Sequence, residues 1–129
     1  MGKADPVLDE LADITARLRA LRHAPDTEDA EVALARLRAH RKVAAVAAAA
    51  RLTVVANAQA IGAHKADGAP SLTDWLVNRD GQARGDAARD TTTASMLGEL
   101  PQTADALADG RITLEHAATL ARTARRGRL

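Results

Sequence analysis

Four histidines, seventeen carboxylates and eighteen basic side chains are the groups with which this chain could move protons, hold a metal or grip an anion. His23, His40, His64 and His116 lie 17 to 52 residues apart, so none forms the i,i+4 pair of a helical zinc site. Cysteine is absent, which removes thiolate metal sites, disulfides and a cysteine nucleophile. Neither Ser71 nor Ser95 lies in a nucleophile elbow; Ser71 reads as a helix cap and Ser95 as a helix position. The glycines at 62, 68, 81, 85, 98 and 110 form neither a phosphate loop nor a dinucleotide fingerprint. No carboxylate stands in an apolar run that would raise its pKa. The residues predict a chain that is not an enzyme, with no catalytic residue, metal, cofactor or small-molecule substrate.

What remains is arginine. The chain has fifteen Arg and three Lys, a ratio suited to bidentate contacts with phosphate or carboxylate, though GC-rich coding produces the same ratio. The near-neutral total of +1 hides a split. Residues 1–66 carry ten bases and eight acids (+2), residues 67–110 three and eight (−5), and residues 111–129 five and one (+4). The acidic middle opposes DNA, whose nonspecific binding comes from neutralised phosphates. The tail Arg122, Arg125, Arg126 and Arg128 reads either as a backbone contact or as the solvated end of a helix. One Trp and no Phe or Tyr all but exclude stacking surfaces for single strands.

The elements that must position these groups are helical. Ala supplies 32 of 129 residues, and Leu, Ile and Val together only 25, which favours helix over sheet and leaves a thin core. A buried Ala contributes far less than the roughly 1.5–3 kcal/mol of a buried Leu or Val. Self-association or marginal stability is therefore expected. Asp5-Pro6 opens a first helix with apolar positions at Leu8, Leu11, Ile14, Leu18 and Leu21, and His23-Ala24-Pro25 breaks it. Asp26 is the expected cap of a second helix running from about Thr27 to Ala60, roughly 50 Å long. Its Ala47–Ala50 surface is smooth enough for another helix to approach closely. The apolar window at 43–63 is long enough to span a bilayer, but Arg51 near its middle costs about 2.5–3.5 kcal/mol there. No signal-type segment opens the chain, and a soluble, cytoplasmic protein without membrane contact is expected.

Residues 65–70 read as a linker. Beyond it, Ser71 with Asp74 resembles a capping box, and Asp80-Gly81 makes a turn. A helix follows over about Ala83–Leu97, Pro101 opens another, Gly110 ends it, and Thr113 caps the last, to about Arg125. The fold expected is all-α: an N-terminal helical hairpin with one long helix over 1–66, then a cluster of short helices over 67–129. Its Gly81 and Gly110 turns recur 29 residues apart, as in helix-turn-helix or αα-hairpin units.

Over 71–120 a further pattern emerges: Ser71-Leu72-Thr73-Asp74-Trp75-Leu76, Gly81-Gln82-Ala83, Leu100-Pro101, then Ala106-Leu107-Ala108-Asp109-Gly110-Arg111-Ile112-Thr113 with His116-Ala117. This order resembles the helical domain of actinobacterial repeat-family proteins that often precedes a C-terminal HNH endonuclease domain. The resemblance implies a non-catalytic part, truncated or N-terminal, of an HNH-endonuclease-associated protein, because no HNH motif lies within these 129 residues; an inert remnant of a mobile element is a third possibility. Gly81-Gln82-Ala83-Arg84 is also similar to the turn that opens the recognition helix of partition proteins, with Ala83 in place of the usual cap-forming Ser. Asp86 and Asp90 then sit on the would-be recognition helix, where they would face phosphates. The implied role is to engage DNA or position a nuclease. Arg79, Arg84, Arg89 and Arg111 would flank the helix-turn-helix, and Arg122, Arg125 and Arg126 would lie on the backbone. The competing expectation is a protein-interaction module that dimerises through the Ala47–Ala48 face of the long helix and binds no nucleic acid.

Overall fold

A computed structural model describes residues 4–127. The described residues form seven α-helices and no strand. They are α1 (Pro6–Ala20), α2 (Ala30–Ala60), α3 (Ala63–Ala66), α4 (Leu72–Asp80), α5 (Arg84–Leu97), α6 (Pro101–Ala108) and α7 (Leu114–Arg126), with a 3₁₀ turn at Leu21–His23. The all-helical class and the single long helix expected from composition are both present.

Local chemistry explains most of the boundaries. Asp5 precedes Pro6, and its carboxylate accepts from the Val7 amide at 2.9 Å. The start of α2 differs from expectation. Asp29, not Asp26, caps it, accepting from the amides of Glu31 at 2.9 Å and Val32 at 3.4 Å. Thr27 takes the Asp29 amide at 3.1 Å, so residues 27–29 are spent on a turn before the helix begins. The expected linker also starts late. Gly62, at φ +65°, ends the run of α2, and Lys65 and Ala66 then belong to the one-turn α3.

The chain has two compact units, Met1–Leu34 and Ala35–Leu129, divided inside α2. In the first unit α1 has no buried residue. In the second, residues 35–60 of α2 share a core with the later helices. Ala45 and Leu52 join Leu97, Leu107 and Ala117 in one cluster, while Val55 and Ala58 join Leu72, Leu76 and Ala87 in another. Nearly half of the buried apolar side chains among the described residues are alanines, so the core is thin. The Ala47–Ala50 surface is partly used within this unit: Ala49 packs against the Leu97–Leu107 cluster, and Ala47 is exposed.

By length and composition α2 would suffice to cross a membrane. Its Leu52, Val55 and Ala58 face the other helices of the second unit.

Candidate functional site

The turn between α6 and α7 approaches α2 closely at Gly110. Gly110 has φ +71°, a left-handed conformation that favours glycine. A Cβ there would stand 2.5 Å from Lys42 Cγ and 3.3 Å from both the Lys42 carbonyl and Val46 Cγ2. Its absence lets the turn sit against α2 at Lys42 and brings the next residue, Arg111, to the same place. Thr113 then caps α7, its hydroxyl accepting from the His116 amide at 3.1 Å.

The result is a groove of about 410 Å³ whose walls include Arg38, Arg41 and Lys42 from α2 and Arg111 and His116 from the other side. Arg38, Arg41 and Lys42 are three and four residues apart and therefore share one helix face. None of the three makes an ion pair among the described residues. Arg111 meets Asp109 at 3.3 Å, with both side chains 64% exposed, a contact weak enough in water to exchange for a phosphate. The positive end of the α7 dipole also lies at the groove, opposed by Glu115 in the first turn. Such a surface can hold an anion by several charge-assisted hydrogen bonds at once.

The other arginines expected at a nucleic-acid contact are placed differently. Arg79 meets Asp67 at 3.2 Å, Arg84 meets Asp74 at 2.9 Å, and Arg89 meets Asp86 at 2.8 Å. Asp74 carries a second bond, from the Ser71 hydroxyl at 2.8 Å. The Ser71 hydroxyl first, and the Arg84 guanidinium second, hold the Asp74 carboxyl below its ordinary value against a smaller opposing effect of burial. The expected capping box is thus altered. Ser71 does accept the Asp74 amide at 3.1 Å, but the reciprocal bond runs from hydroxyl to carboxylate, not from backbone to carboxylate.

Arg122, Arg125 and Arg126 are exposed along α7, with Arg122 donating to the Thr119 hydroxyl at 3.3 Å. Arg128 lies outside the described residues. Asp86 is exposed, but Asp90 is not available to repel phosphates: it is 7% exposed and paired with Arg51 of α2. Trp75 is half-buried, and its indole donates to Asp67 at 2.8 Å. His116 is exposed at the groove.

The sequence reading thus names one member of the groove, Arg111, and misses Arg38, Arg41, Lys42 and His116. The signal available was the 38-41-42 spacing inside a helix that lacks acids after Glu31. Among the described residues, no group of three His, Asp or Glu side chains is placed to hold a metal. No family model, curated protein or solved structure matches this chain.

Proposed function

We propose that this chain is a non-catalytic helical domain that engages the phosphate backbone of duplex nucleic acid through the α2/α6–α7 groove. The observation that carries the reading is the convergence of Arg38, Arg41, Lys42 and Arg111 on one open groove, with Asp109 the acid that meets one of them. Phosphate contacts supply the sequence-independent part of such binding, and arginine and lysine are the side chains that make them. Arg122, Arg125 and Arg126 extend positive charge along α7. The likeness of residues 71–120 to the helical domain ahead of HNH endonucleases fits a part that holds DNA while another domain cuts it. On this reading the chain works in the cytoplasm and needs no cofactor.

Arg79 and Arg84 take a different role here: Arg79 reaches Asp67 ahead of α4 and Arg84 joins α5 to Asp74 of α4, so both tie neighbouring segments together. Arg89 meets Asp86 one turn away within α5, in an exposed pair as exchangeable as that of Arg111. The test is titration of a labelled duplex at two salt concentrations. Binding tighter than millimolar at about 50 mM salt, weakening steeply as salt rises, supports the reading. Affinity that is millimolar or weaker, or insensitive to salt, rejects it.

A further inference from the structure

The apolar face of α1 is unused within its own unit. Val7, Leu11, Ile14, Leu18 and Leu21 are 61, 50, 41, 39 and 52% exposed, and Leu8 beside them is 64% exposed. Their spacing is four, three, four and three residues, the a/d repeat of a two-stranded coiled coil. With Leu11 and Leu18 at a positions and Val7, Ile14 and Leu21 at d, Glu10 and Arg17 fall at the two g positions. Neither has an ion-pair partner among the described residues.

We propose that this face is covered by α1 of a second copy of the chain, running antiparallel. Charge selects both the partner and its direction. The helix is acidic at Asp9, Glu10 and Asp13 and basic at Arg17, Arg19 and Arg22, so its two halves complement each other only when two copies run in opposite directions. In the register that pairs Leu11 with Ile14 of the other copy, and Val7 with Leu18, four apolar layers form. Each Glu10 then faces the other copy's Arg17, giving two symmetric ion pairs. Parallel pairing would instead set each Arg17 against the other copy's Arg22. Moving the antiparallel register by one heptad would set Arg17 against Arg17. The sequence therefore favours one geometry and opposes its nearest competitors.

A 15-residue helix is about 22 Å long, so four layers make a weak, concentration-dependent dimer rather than an obligate one. This inference does not rest on the nucleic-acid reading. Loss of duplex binding would leave it intact, and a monomeric chain would leave the groove intact.

The experiment is sedimentation equilibrium of the full chain up to roughly 100 µM. Trp75 fluorescence reports that the second unit is folded, and circular dichroism reports helix content. The expected result is a reversible dimer. Glu10→Arg alone and Arg17→Glu alone should each weaken it about tenfold, since two attractive pairs become repulsive. The double variant should return to within about threefold of the starting chain. Ile14→Glu should leave a monomer with unchanged Trp75 fluorescence.

A chain that is monomeric throughout the range overturns the proposal. So does a double variant no better than the singles at unchanged helix content, which would mean the two residues do not meet across copies. If Ile14→Glu lowers the melting temperature of a chain that was always monomeric, the face is covered from within the same molecule and the proposal fails.

Discussion

Arg51 of α2 donates to the carboxylate of Asp90 in α5, joining the long helix to the middle of the short-helix cluster at a half-open ion pair. The two ends are unequally placed, since the Arg51 side chain is 44% exposed and that of Asp90 only 10%. Removing either partner therefore has different consequences. Without Arg51, Asp90 keeps a carboxylate in a site from which it cannot easily reach water. Without Asp90, Arg51 can swing its guanidinium into solvent. Arg51→Ala is expected to destabilise the second unit by about 1–3 kcal/mol, and Asp90→Ala by clearly less. Urea unfolding followed by Trp75 fluorescence measures both, and equal losses would show that the asymmetry is unimportant.

Gly110 fixes the separation of the α6–α7 turn from α2. Gly110→Ala would force a left-handed residue with a Cβ, at about 1–2 kcal/mol, and press that Cβ against Lys42. The expected loss exceeds that of Gly81→Ala, because Gly81 shares the left-handed conformation (φ +69°) but has open space around it. Thermal unfolding of the two variants compares them directly. Similar melting temperatures would mean that the backbone conformation alone matters and the close approach to Lys42 does not.

Asp74 gives the fold a dependence on acid. Its folded pKa lies below the ordinary value of 3.8, first through the Ser71 hydroxyl and then through Arg84. A carboxyl depressed in the folded state stabilises the fold above its unfolded pKa, and that stabilisation fades as pH falls through the folded value. Ser71→Ala should cost about 1 kcal/mol at neutral pH through the lost α4 cap. It should also flatten the stability profile below pH 3.8. Denaturant titrations from pH 7 downward test this: a profile that falls as steeply in the variant as in the parent would exclude Ser71 as the main cause.

The helix boundaries were legible because caps act locally. Asp5, Ser71 and Thr113 each needed only an acceptor side chain two or three residues from a waiting amide. Asp26 misled because Asp29, three residues on, offers the same chemistry, and Thr27 stabilises the turn that favours the later start. Charge was harder to read because it is settled by pairing across the chain. Arg84 and Asp74 are ten residues apart, and Arg51 and Asp90 thirty-nine, so block totals counted as available charge what the fold neutralises. The same totals hid the groove. Arg38, Arg41 and Lys42 were averaged with eight acids over residues 1–66, although those acids all precede Val32.

That difference between free and paired arginines yields the sharpest prediction for the groove. Each phosphate contact contributes about 0.9 to the slope of log affinity against log salt on B-form DNA. Replacing Arg38, Arg41 and Lys42 together with alanine should weaken duplex binding and reduce that slope by about 2.7. Replacing Arg84 with alanine should leave the slope nearly unchanged, because that side chain joins α5 to Asp74, a carboxylate that the Ser71 hydroxyl also holds. Fluorescence anisotropy with a labelled duplex at several salt concentrations separates the two cases. A slope that falls on loss of Arg84, and persists after loss of the α2 trio, would move the contact to the Gly81 turn. The groove would then be an incidental gap beside Gly110.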